Sequence, residues 1–131
     1  MQQLVSYLAE NAGHWILSQR AQHRVHAEPL PDTTRAALQG FFGDQTLDRT
    51  RIRRVPLIEN PPFYKEFEDA GESIPLDFSV WAAITFGDVI LVSDSQVPAP
   101  PPHSVVFHEM VHVVQFDVLG IHEFARRYVI P

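Results

Sequence analysis

His108-Glu109-Met110-Val111-His112 is the stretch from which the organisation of the chain can be read. Two imidazoles four residues apart on an α-helix are separated by about 40° around its axis. They therefore point to the same side and can grip one metal ion. Glu109 lies between them, placed to polarise a water in the ion's open coordination position. Gripping of this kind requires a helix, and the flanking sequence supports one. Pro100, Pro101 and Pro102 exclude a helix before the segment. Ser104 is a good N-cap residue, and no breaker interrupts residues 105–119 before Gly120. Val106, Met110, Val113, Val114 and Phe116 supply apolar contacts that would bury the helix and hold its imidazoles in place. The competing reading is a pair of core histidines satisfied by hydrogen bonds.

Working outward, residues 82–86 and 89–92 are two apolar, β-branched runs flanking Gly87-Asp88, a two-residue hairpin turn. The order of parts is therefore hairpin, proline-rich loop, helix. A hairpin strand beside such a helix offers an edge to which an extended peptide can add through main-chain hydrogen bonds; it can equally serve only to cover the core. Further upstream, residues 2 to about 27 read as a helix, with Leu4, Leu8, Ala12, Trp15 and Ile16 recurring at three- to four-residue spacing and Gly13 as a candidate kink. A short helix is expected over residues 33–39, ended by Gly40, and another over 63–70, ended by Gly71. His14, His23 and His26 read as surface or helix-end residues, because none has a second ligand type four residues away.

Residues 47–58 are the least regular. Arg49, Arg51, Arg53 and Arg54 alternate with Ile52, Val55 and Leu57, which predicts a strand with one basic face. That face is either a cationic site for a carboxylate or phosphate, or a solvated edge strand paired to acidic neighbours. The second is the simpler expectation.

Composition narrows the function classes. A chain of 131 residues that is 45% hydrophobic holds one core, so a single domain over residues 1–131 is expected. The net charge of −6 argues against a nucleic-acid-binding surface. No cysteine is present, so thiolate zinc sites, disulfides and iron–sulfur clusters are excluded and any zinc must be held by His, Asp or Glu. No apolar run approaches the roughly 20 residues of a membrane span. The first residues lack a basic region followed by a long apolar one, so a cytoplasmic location is expected.

The run from His108 to His112 resembles the active-site helix of the zincin metallopeptidases, and the preceding hairpin matches the usual order of parts in that group. The likeness covers roughly residues 82–128. Together with the elements read above, the expected fold is α+β and zincin-like, with a helical N-terminal part, a small antiparallel sheet with a hairpin, the His-Glu-x-x-His helix and a short C-terminal helix. The likeness itself bears on the hairpin and the two helices after it. It also implies zinc, hydrolysis of a peptide or protein substrate, His108 and His112 as ligands, and Glu109 as general base. The metzincin extension is not met, since Gln115 stands where Gly is required and Val118 where the last His is required. The gluzincin alternative takes a Glu from the following helix, read here over residues 121–128, and Glu123 is the expected third ligand. His122 is its competitor, with Asp117, Asp94 and His103 also open. Gln115 is a candidate partner for a ligand imidazole. Tyr128 is the expected second catalytic residue, stabilising an oxyanion, with His122 and Arg126 as alternatives. The apolar residues of the last helix are expected to pack on the core or on a second subunit, with a homodimer or a partner protein as the associations left open. The alternative function is a zincin-like metal-binding or regulatory module without useful turnover.

Overall fold

The computed structural model describes the backbone of residues 2–71 and 77–129 and the side chains of residues 10–66, 68–71 and 77–127. The chain runs α1 (Gln2–Arg24), β1 (Glu28–Pro29), α2 (Asp32–Leu38), α3 (Asp44–Arg49), β2 (Arg51–Val55), α4 (Tyr64–Asp69), a 3₁₀ turn (Phe78–Val80), β3 (Ala83–Phe86), β4 (Val89–Ser93), α5 (His103–Leu119) and α6 (Ile121–Phe124), which passes into a π-turn (Ala125–Val129). It is a mixed α+β fold. None of the described helices is long and apolar enough to cross a membrane.

The sheet has the order β1-β2-β4-β3. β3 and β4 form the expected hairpin, with Thr85 opposite Ile90 and Gly87 at φ 68° in the turn, a conformation that costs glycine nothing. The expectation of an antiparallel sheet is corrected, because β2 pairs with β4 in parallel, Ile52 opposite Ile90. The reason is topological. After β2 the chain detours through α4 and the 3₁₀ turn and enters the sheet at its far side as β3. β4 then comes back antiparallel to β3 and so lies parallel to β2.

Alternation along the hairpin sorts its side chains between two cores. Ile84, Phe86, Val89 and Leu91 join Trp15 and Ile16 of α1. Ala83, Ile90 and Val92 join Val106, Met110 and Val113 of α5, together with Leu38 and Leu47. Burial on both faces explains why β4 reads as the unbroken apolar run Val-Ile-Leu-Val. Each such side chain, fully buried, contributes about 1.5–3 kcal/mol. The sheet is thus sandwiched, with α1 on one face and α5 on the other.

Local boundaries differ from expectation where main-chain geometry outweighs composition. α5 begins at His103, and Pro102, without a side-chain cap, occupies the position expected for Ser104; the Pro102 carbonyl accepts from the Val105 and Val106 amides. Leu47 and Arg49 belong to α3, so the strand begins only at Arg51. β2 is also interior to the sheet and not its edge. Its arginines are nonetheless engaged locally. Arg54 pairs with Asp94 and, just before the strand, Arg49 pairs with Asp117. Arg51 donates to the Asp48 and Thr50 carbonyls, and Arg53 lies 2.9 Å from His23 Nδ1. Leu4 and Leu8 fall outside the described side chains.

Candidate metal centre

α5 is held against the sheet by Val106, Met110 and Val113, each at most 1% exposed. Those three lie on one side of the helix, which fixes its rotation and turns His108, Glu109 and His112 toward β3, the terminal strand. The ligand-type atoms of these three residues all lie within 4.8 Å of one another. Among the described residues this is the group of His, Asp and Glu side chains gathered closely enough to hold an ion. The two imidazole centroids are 5.0 Å apart, and His108 Nε2 lies 4.0 Å from Glu109 Oε2.

The three side chains live in different surroundings. His108 is exposed, whereas Glu109 is buried. Glu109 Oε1 accepts from Thr85 Oγ1 at 2.9 Å, and the same hydroxyl lies 3.2 Å from the Glu109 carbonyl. Burial pushes the Glu109 carboxyl up from its ordinary value, opposed by the Thr85 hydrogen bond and by the charges of His112 and His108. His112 Nδ1 lies 2.7 Å from Gln115 Oε1. An amide oxygen can only accept, so with this amide orientation Nδ1 carries the proton and Nε2 keeps its lone pair. An edge-on contact with Phe124, at 5.7 Å between centroids, supports the same ring.

The turn after α5 decides which residues of α6 reach the centre. Gly120, at φ 79°, caps α5 and sends the chain back so that Phe124 stacks on Phe116 at 3.7 Å. Phe124 thereby becomes the α6 residue beside His112. Glu123 stands outside the gathered group. Its carboxylate accepts from Arg127 Nε at 2.8 Å, a bond that holds its carboxyl below its ordinary value. His122 packs over Gly13 of α1 and meets the His14 ring at 6.0 Å. Asp117 and Asp94 are each taken by an arginine, and His103 is an exposed first residue of α5. Arg126 is exposed, and the Tyr128 side chain lies outside the described residues. The expected three-residue signature is therefore brought together, and the expected third ligand is not brought to it.

A cavity of about 600 Å³ opens beside the group. Its walls are β3 with the two residues before it, the first turns of α5, Trp15 and Ile16 of α1, Phe78 of the 3₁₀ turn, and Phe124. Sequence reading missed Thr85, Trp81 and Phe124 as residues of this site. Thr85 carried one usable signal, a hydroxyl on the strand face opposite Ile84 and Phe86. Phe124 carried none, since its placement depends on the turn at Gly120.

Comparison of the chain with protein-family models, with curated proteins and with solved structures returns no match.

Proposed function

We propose that this protein is a zinc-dependent hydrolase of peptide bonds, with His108 and His112 as metal ligands and Glu109 as general base. The observation that carries this reading is the convergence of two imidazoles and a buried carboxylate within 4.8 Å in the lining of a cavity bordered by the sheet's terminal strand. Imidazole and carboxylate donors in a chain without thiols suit a borderline divalent ion such as zinc. Bound there, the ion supplies Lewis acidity and an activated water.

The chain's own residues supply the rest. Gln115 holds His112 in the tautomer that leaves Nε2 available to a metal. Thr85 holds Glu109 Oε1, leaving Oε2, which faces His108, to accept a proton and return it to the leaving amine. The outer edge of β3 suits an extended peptide, whose main chain would pair with it.

A second reading is supported by one observation. The Glu109 oxygen lies within the same gathering as both imidazoles, so Glu109 can serve as the third ligand of a binding or regulatory module without turnover. Zinc content and peptide-library cleavage of wild type, Glu109→Gln and His112→Ala separate the two. A peptidase keeps its zinc in Glu109→Gln and loses cleavage by about 100-fold or more. A binding module cleaves nothing as wild type and loses zinc in Glu109→Gln. A wild-type protein that takes up no zinc overturns both readings.

A further inference from the structure

The cavity lining has two characters. Ser104, Thr85 and the His108, Glu109 and His112 group supply its polar atoms, and the remaining walls are apolar and mainly aromatic. Trp15 stacks on Phe78 at 5.3 Å and meets Phe86 edge-on at 5.1 Å. Phe78 in turn meets Trp81 edge-on at 4.6 Å. The result is a rigid aromatic floor in which Trp15, Phe78 and Phe86 are buried against one another, with the half-buried Trp81 as the more accessible ring beside the cavity. The turn that carries Phe78 is fixed by two side chains. Asn60 Oδ1 accepts from the Phe78 amide at 2.7 Å, and Asp77 accepts from the Ser79 amide at 3.0 Å. Phe78 itself is fully buried, so this wall is held in place before any ligand arrives.

We propose that this chamber is a subsite for a bulky aromatic side chain, which makes the substrate class peptides bearing such a residue next to the bond held at Glu109. The proposal rests on the hydrolase reading for the word substrate; the subsite itself follows from the chamber. Three features select the occupant. Cavities of about 300–1,000 Å³ hold drug-sized ligands, so a chamber of about 600 Å³ has room for an aromatic ring and its flanking backbone. Aromatic walls favour a further ring in edge-to-face or offset geometry. A charged side chain placed against the aromatic part of the lining, away from His108, Glu109 and His112, would lose its water without gaining a partner.

Both tryptophans of the chain line the chamber, so occupancy can be read from intrinsic fluorescence with or without metal. The probe is N-acetyl-4-nitrophenylalanine amide, whose nitrophenyl group quenches indole emission. Competitors are the N-acetyl amides of phenylalanine, alanine and aspartate. Saturable quenching is expected, reversed by the phenylalanine amide at no more than about one-tenth the concentration at which the alanine or aspartate amide acts. Chelation of metal should leave that order unchanged. Ser104 is exposed on the first turn of α5 and borders the cavity, so Ser104→Phe should occupy part of the cavity without disturbing the core and weaken the probe at least about tenfold. Trp81→Ala should weaken it similarly by removing a wall. Absence of saturable quenching, equal competition by alanine and phenylalanine amides, or unchanged affinity in Ser104→Phe overturns the subsite. A protein that shows this binding but takes up no zinc loses the hydrolase reading and keeps the subsite. One that binds zinc and cleaves peptides without aromatic preference does the reverse.

Discussion

Thr85 Oγ1 stands 2.9 Å from Glu109 Oε1 and 3.2 Å from the Glu109 main-chain carbonyl, so the one hydroxyl proton is placed between the two acceptors of the residue at the heart of the centre, with the shorter contact to the carboxylate. Thr85 is 5% exposed and Glu109 6%, so water does not replace this donor readily. Thr85→Val, which keeps shape and removes the hydroxyl, should lower unfolding stability by about 1–3 kcal/mol. Thr85→Ser should restore most of it. Denaturant titration of both variants at neutral pH makes the comparison.

Burial raises the Glu109 carboxyl pKa in the metal-free fold. A carboxyl raised above its unfolded value makes the folded state bind more protons than the unfolded one. Its favourable contribution is then complete below the unfolded pKa, near pH 4, and is lost as pH rises through the folded pKa. Glu109→Gln abolishes that loss and keeps an acceptor for Thr85. In chelator, the variant should therefore gain stability over wild type as pH rises from about 4 and hold a constant advantage beyond the folded pKa. Thermal melts across pH 4–8 test this, and an advantage that shrinks with rising pH would contradict the assignment.

Gln115 Oε1 lies 2.7 Å from His112 Nδ1, a contact that suits a proton on Nδ1. Removing such a partner from a metal-ligating histidine typically costs about 10–100-fold in metal affinity. Gln115→Ala should show a loss of that size in competitive zinc titration, with the fold intact by circular dichroism. Zinc affinity equal to wild type would mean that the His112 ring needs no such support.

Gly13 lies under His122, where an added Cβ would come within 2.5 Å of His122 Nδ1. Alanine at a helical glycine is worth about 1 kcal/mol by itself. That gain should appear in the Gly13→Ala/His122→Ala double variant measured against His122→Ala. It should be reduced or reversed when Gly13→Ala is made alone, because the imidazole must move. A double-mutant cycle on unfolding free energies measures the coupling.

Asp88 in the hairpin turn accepts from Arg20 Nε at 2.8 Å and from Arg24 Nη1 at 3.2 Å, tying β3–β4 to α1. Its side chain is 13% exposed, so these charged bonds are shielded from solvent on one side. Asp88→Ala should cost about 1.5–3 kcal/mol, and a loss confined to a few tenths would place the hairpin's attachment in the apolar core alone.

Much of this architecture was legible in local sequence. The helix of His108, Glu109 and His112, the hairpin around Gly87-Asp88 and the short helices near residues 33–39 and 63–70 all follow from periodicity and turn chemistry, which act over a few residues. The sheet's mixed direction was not legible, because β2 and β4 are joined by a long detour and their parallel pairing is set by where that detour re-enters. Arg49 and Arg54 meet acidic partners as expected of a solvated strand, whereas Arg51 turns to main-chain carbonyls and Arg53 to His23 of α1. Their strand lies inside the sheet, however, covered at its far side by a β1 of two residues that periodicity does not reveal.

The sequence by itself determined which side chains share a face of α5, since helical geometry places residues four apart together whatever lies around them. Only the tertiary structure decided what meets that face. Thr85 reaches Glu109 because strand alternation points it away from the α1 core, and Phe124, not Glu123 or His122, stands beside His112. That last choice turns on the left-handed backbone at Gly120 and the stacking of Phe124 on Phe116, a relation between elements that no spacing along the chain encodes.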